Sequence, residues 1–248
     1  MEMRKWLSIL VLLFGALVFA QEAEFDMANQ ACMEGRYADA LDLYSSLKKV
    51  GWEDAALYYN MGNCYYELGQ LGEAIQYYEK ALVLEPQDED ILHNLAFANR
   101  KTVDRIEELP QPFLRSLLIG TAGWMSSRGW ALLFLAVWFV SMILLVFYVL
   151  IETVRRRSFF LSGIALLPIA LIFMALMFVQ KKEEGRSFGV VIELNSYVKD
   201  GPGDASDDLF ILHEGTKAEI LDDYEGWMKI KLSDGKIGWI SAESMGMI

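Results

Sequence analysis

Side chains able to do covalent or acid–base chemistry are sparse in this chain. The two histidines, His93 and His213, stand alone, and the two cysteines, Cys32 and Cys64, form no Cys-x-x-Cys pair and have no histidine at metal-ligand spacing. No Ser, His and Asp arrangement, glycine-rich phosphate loop or cysteine-protease motif accompanies them, so the sequence predicts no catalytic residue, no metal site and no cofactor. Recognition chemistry is better represented. Asn29, Asn60, Asn63 and Asn94 each carry an amide that both donates and accepts, which suits clamping a peptide backbone. Trp227 and Trp239 offer flat apolar faces with a polar edge. The asparagines fit a plain structural role between helices equally well, and either tryptophan fits a buried core.

The elements that must position the asparagines follow a 34-residue period. Over residues 55–88, Gly62, Ala74 and Ala81 are small where two helices would approach closely, and Tyr58, Met61, Tyr65, Leu71 and Tyr78 fill the space around them. Gly69 ends the first helix and Pro86 stops the second. One period earlier, over 21–54, Ala28, Gly35, Tyr37, Ala40 and Tyr44 stand in register with Gly62, Gly69, Leu71, Ala74 and Tyr78, while Gly51-Trp52-Glu53-Asp54 replaces the proline turn. One period later, residues 89–106 begin a third copy that diverges, which predicts a helix capping the stack.

This pattern resembles the tetratricopeptide repeat, position by position over 55–88. The resemblance implies an all-α solenoid, over residues 21–109, with a concave groove that binds peptides or protein segments and is lined by the first helix of each repeat. Carried over, the groove residues are Phe25, Asn29, Cys32 and Met33 in the first repeat and Tyr59, Asn63, Tyr66 and Glu67 in the second, with Asn60 and Asn94 alongside. Phe25 stands where the clamp for C-terminal carboxylates wants a lysine, which argues against that specificity. Cys32 and Cys64 fall at positions 12 and 10 of their repeats; the offset favours two buried thiols, and an oxidising compartment leaves a disulfide open as the alternative.

Composition assigns part of the chain to lipid. Of 248 residues 54% are hydrophobic, too apolar for an ordinary soluble globule. Residues 130–151 and 159–179 are apolar stretches, each long enough for the roughly 20 residues that one bilayer crossing takes. The intervening 152–158 carries Arg155-Arg156-Arg157, which places that loop in the cytoplasm and both flanking domains on the outer side. The N-terminus agrees: Arg4 and Lys5 precede an apolar run ending in Val18-Phe19-Ala20, which reads as a signal peptide over 1–20. Neither span carries an ionisable residue, so no ion path is expected. Residues 110–129 read as an interfacial linker, a short helix near Phe113 with Trp124 and Trp130 at the bilayer edge. The net charge of −12 makes nucleic acid an unfavourable partner.

Residues 186–248 change to short β-type runs, with Ser233-Asp234-Gly235-Lys236 as a hairpin turn. Leu212-His213-Glu214-Gly215-Thr216, Gly226-Trp227 and Gly238-Trp239-Ile240, in that order, resemble a bacterial SH3 domain. That resemblance implies an all-β barrel binding cell-wall peptides or protein segments, with Trp227 or Trp239 as ligand platform. The whole arrangement, a multidomain α + β membrane protein with a two-helix transmembrane hairpin, resembles the E component family of the Bacteroides aerotolerance operon. Membership would imply a non-catalytic scaffold integral to the inner membrane, with both soluble domains in the periplasm. Its protein partners would be von Willebrand factor A domain membrane proteins, with peptidoglycan as the alternative ligand.

Overall fold

Asp54 and Asp88, one repeat apart, each cap a helix in the computed structural model. The Asp54 carboxylate accepts from the Ala56 amide at 2.8 Å, and the Asp88 carboxylate from the Ile91 amide at 2.9 Å. Gly35 and Gly69, again one repeat apart, sit at φ 77° just past two helix ends, and the next amide in each case reaches five residues back, Arg36 to the Ala31 carbonyl and Gln70 to that of Tyr65. These punctuation marks cut the first part of the chain into α1 (21–33), α2 (Tyr37–Lys49), α3 (Ala55–Glu67), α4 (Leu71–Leu84) and α5 (Glu89–Asn99). The structure describes residues 21–107, 109–152 and 154–248, and the leader expected over 1–20 lies outside them. Residues 21–107 and 187–248 belong to one compact body, and 109–186 form another.

In the first body the helices stack as pairs around Ala28, Ala40, Tyr44, Leu47, Leu57, Met61 and Cys64, all fully buried. Gly62 is where α3 and α4 meet most closely, since a β-carbon there would lie 2.6 Å from the Tyr78 ring.

The expected capping helix over 89–106 is shorter than the sequence predicts. α5 stops at Asn99, whose carbonyl takes the Thr102 hydroxyl at 2.9 Å. The following residues lie instead against a β-sheet, where the Asp104 carboxylate accepts from the His213 amide and the Thr216 hydroxyl, each at 2.7 Å, and faces the His213 ring nitrogen at 2.8 Å. A helix continued through Asp104 would forgo those bonds.

That sheet is antiparallel and seven-stranded: β1 (Ser187–Val191), β2 (Asn195–Lys199), β3 (Asp208–His213), β4 (Lys217–Tyr224), β5 (Trp227–Lys231), β6 (Ile237–Ser241) and β7 (Met245–Met247), ordered β3-β2-β6-β5-β4-β1-β7. Glu225 and Gly226, at φ 46° and 84°, make the two-residue turn from β4 to β5, the backbone sign that matches strand twist. The Asp-Gly signal also forms a turn: Gly235, at φ 91°, donates to the Leu232 carbonyl at 2.9 Å between β5 and β6. Val191, Val198, Leu212, Ala218, Ile230, Leu232, Ile240 and Met245 form the sheet's core.

The repeat and the sheet share a second core. Ala74, Ile75 and Tyr78 of α4 pack with Leu95, Ala98 and Val190 of β1. Gly72 brings the backbones together, a β-carbon there falling 2.7 Å from Ile192 Cα. Around the contact the Gln76 side chain donates to the Met247 carbonyl at 2.8 Å, and Lys217 meets Glu79 at 2.7 Å. The far side of α4 is thus covered by α5 and the sheet jointly, and not by a capping helix alone.

The second body holds α6 (Phe113–Ala122), α7 (Ser127–Leu150) and α8 (Arg156–Glu184). α7 and α8 are both long and apolar enough to cross a membrane, with mean hydropathy of 2.7 and 2.5 over their most apolar windows. Only 6% and 17% of those windows is buried, so most of their apolar surface faces outward, unlike that of a core helix. They touch through small residues: Gly163 leaves room for Leu145, and the buried Ser141 hydroxyl donates to the Gly163 carbonyl at 2.8 Å. α8 starts inside the expected 152–158 loop, where Arg156 Nε donates to the Tyr148 carbonyl at 2.9 Å. Trp130, expected as a bilayer-edge anchor, is buried instead; its indole N–H reaches the Ala122 carbonyl at 2.8 Å, and with its donor satisfied the ring packs on Phe173.

Candidate functional site

The asparagines act first as couplers between repeats. Asn60 Nδ2 donates to Asn29 Oδ1 at 2.9 Å, and one repeat later Asn94 Nδ2 donates to Asn63 Oδ1 at the same distance. Each accepting oxygen also takes a tyrosine hydroxyl from the second helix of its own repeat, Tyr44 at 2.7 Å and Tyr78 at 2.8 Å. Burial pushes both phenols far above the ordinary tyrosine value, so each stays protonated and remains a donor. The three-group unit joins three helices, and its duplication at the repeat period explains why these residue types recur.

Beside the second unit, on the face of α3 and α5, a cavity of about 310 Å³ is lined by Asn63, Tyr66, Glu67, Tyr78, His93, Asn94 and Phe97. Four of the groove residues expected from sequence, Asn63, Tyr66, Glu67 and Asn94, come together here. Tyr59 stands beside them, its hydroxyl accepting from Asn94 at 2.9 Å. Phe25 and Asn29 of the first repeat lie outside this cavity, as does Asn60 of the second, which turns to Asn29; the Phe25 ring stacks on Trp52 at 5.8 Å. His93 and Phe97 are additions. Both were within reach of the sequence, since they stand one period after Tyr59 and Asn63.

The cavity wall is amphipathic. Tyr66 and Phe97 form a tilted aromatic pair at 5.9 Å, and the Lys101 ammonium sits 4.2 Å from the Tyr66 ring centre. Glu67, His93 and Phe97 are exposed at its rim. Asn63 lines this space, and among the described residues no hydrogen bond engages its amide nitrogen. Such a wall can hold an extended backbone by its amide groups and an apolar side chain by the aromatic pair.

At the other end of the first-helix face, Cys32 and Cys64 approach each other, Sγ to Sγ 2.8 Å, without a bridge. The offset in repeat position is what joins them: the register that pairs Asn29 with Asn60 pairs Cys32 with Cys64 one helical turn on.

On the sheet, neither Trp227 nor Trp239 enters the core. Both alternate with inward Met228, Ile230, Gly238 and Ile240, and both are half-buried on the outer face, where Trp239 pairs across strands with Lys229. The Lys229 ammonium lies 5.7 Å from the Trp239 ring. Of the two roles open to these rings, the structure removes that of core residue.

Comparison with known proteins agrees with this architecture in two segments. Residues 55–88 match the tetratricopeptide repeat family, and residues 194–245 match the bacterial SH3 domain family. Among individual proteins, the chain is similar to tetratricopeptide repeat protein 16 of Macaca fascicularis and of Homo sapiens, each 34% identical over 64 residues, 26% of this chain and 7% of the relative. It is also similar to sperm-associated antigen 1 of Mus musculus, 33% identical over 72 residues, 29% of this chain and 8% of the relative. The chain therefore spans less than a tenth of the length of these relatives.

Proposed function

We propose that this protein is a non-catalytic scaffold, anchored in the bacterial inner membrane by α7 and α8, that captures a protein segment in the groove of its repeat domain. One observation carries the reading: the cavity on α3 and α5 combines the amides of Asn63 and Asn94, an aromatic pair and the Glu67 carboxylate at its rim. Tetratricopeptide and bacterial SH3 modules are typically binding modules, and their presence fits a role in protein interaction or cell-wall binding. Export of the fused repeat and sheet follows from the arginine-rich turn between the apolar helices, which the positive-inside bias keeps in the cytoplasm. The aerotolerance or envelope-stress complex implied by the E component resemblance, with von Willebrand factor A domain membrane proteins as partners, is the assembly in which this scaffold would work.

The test uses the full chain in gently solubilised membranes. Phe97→Ala and Glu67→Lys alter the exposed rim and should leave the fold intact while cutting partner recovery at least about tenfold, the loss expected when a buried aromatic contact goes. Unchanged recovery with both variants would end the groove reading.

A second reading rests on the outer face of the sheet, where Trp239 and Lys229 form an aromatic and cationic platform. It assigns the sheet to peptidoglycan, as an envelope sensor. Sedimentation of the protein with purified cell wall, lost on Trp239→Ala, would support it.

A further inference from the structure

We propose that Cys32 and Cys64 are a reversible redox site: a dithiol that closes to a disulfide tying α1 to α3 by exchange with a small-molecule or protein disulfide. The sulfurs are 2.8 Å apart, roughly 0.8 Å more than a disulfide bond length, so closure needs side-chain rotation and no refolding of the repeat. The two helices are already pinned one turn away by the bond from Asn60 to Asn29 and by Tyr44 below it.

Burial assigns the order of events. Cys32 is partly exposed, and Cys64 is fully buried, with burial and the neighbouring sulfur pushing its thiol well above the ordinary value. The Cys32 thiolate therefore attacks the incoming disulfide, forms a mixed disulfide and releases one thiolate. Cys64, giving its proton to solvent, then attacks the Cys32 sulfur and releases the second thiolate. Two protein thiols and one disulfide become one protein disulfide and two thiols, with no other oxidant. Reduction runs the same steps backward. A bridge here fixes the first helices of the two repeats against each other and so sets the width of the groove they share. The disulfide donor would belong to the exported side, and only that clause rests on the function proposed above.

The test is made on the purified full chain in detergent, reduced, desalted and equilibrated with glutathione at graded ratios of disulfide to thiol, then acid-quenched and alkylated. Both alkylatable thiols should disappear together, leaving a monomer lighter by two hydrogens that melts higher by roughly 5–10 °C than the reduced form. Cys64→Ser, which leaves the accessible thiol, should collect a stable glutathione adduct, and Cys32→Ser should collect none. If wild-type chain keeps two alkylatable thiols at every ratio, or yields only adducts or interchain dimers, the proposal is wrong. This readout does not depend on which side of a membrane the repeat occupies, so it stands or falls apart from the export reading.

Discussion

At the scale of single residues, the packing role of the asparagines can be separated from the ligand contact proposed for them. Asn63 takes the hydroxyl of Tyr78, a ring only 2% exposed, and also the amide of Asn94. Asn63→Ala leaves that phenol without an acceptor, and an unsatisfied buried group costs about 1–3 kcal/mol, so the purified protein should melt several degrees lower. A loss of partner binding in that variant would therefore say little about contact with a ligand, which is why the exposed Phe97 is the better probe of the groove. Gly62 makes the opposite test. Even Gly62→Ala puts a methyl 2.6 Å from the Tyr78 ring, and overpacking of this kind costs about 1–3 kcal/mol; an unchanged denaturation midpoint would show that the helices can part freely.

At the scale of elements, the segment after α5 matters more than its irregular form implies. Burial by itself would raise the Asp104 carboxyl, but the His213 amide, the Thr216 hydroxyl and the His213 ring together hold it below its ordinary 3.8. Because the folded form binds the proton more weakly than the unfolded chain, this contribution is complete above that ordinary value and is lost as pH falls through the lower folded value. The melting temperature of wild type should therefore exceed that of Asp104→Asn near about pH 6, and the difference should shrink by about pH 3. A constant difference would detach Asp104 from the acid limb. The contact of α4 with β1 gives a second prediction. Gly72→Val drives a side chain into the Ile192 backbone, which cannot yield as a flexible side chain could. The sheet should then loosen from the repeat and become protease-sensitive, while helix content measured by circular dichroism stays unchanged.

At the scale of the whole molecule, one folded body is built from the two ends of the described chain, with the apolar helices inserted between them. Segments that pack against each other must lie on the same side of any membrane, and two crossings return the chain to the side it left, whereas one or three would not. The hairpin and the shared core of α4 and β1 are thus mutually consistent. With both native cysteines replaced, Ala38→Cys and Ser233→Cys should react with an impermeant thiol reagent in intact spheroplasts and Ser158→Cys should not. Labelling at Ser158 alone would invert the topology. The Lys217 and Glu79 pair at the shared core is open to solvent on the lysine side alone, with Lys217 41% and Glu79 11% exposed, so Lys217→Met strands a largely buried carboxylate and should cost about 1–3 kcal/mol in a denaturation measurement.

The amino-acid sequence by itself determined the local pieces: the helix end at Gly69, the stop before Pro86, the Asp-Gly turn, and two apolar stretches. Each is specified by neighbours a few residues away, through backbone angles, capping bonds or hydropathy, so the signal is written in short windows. The repeat period also brought Asn63, Tyr66, Glu67 and Asn94 to one face, and one more step along it would have reached His93 and Phe97. The tertiary structure alone decided what touches across long separations. That Asn29 and Asn63 spend an oxygen on helix packing, that Cys32 meets Cys64, that both sheet tryptophans face outward and that Asp104 leaves its helix for His213 all depend on helix crossing and strand register. Those are set by the fit of whole surfaces, for which side-chain type at one position carries no address.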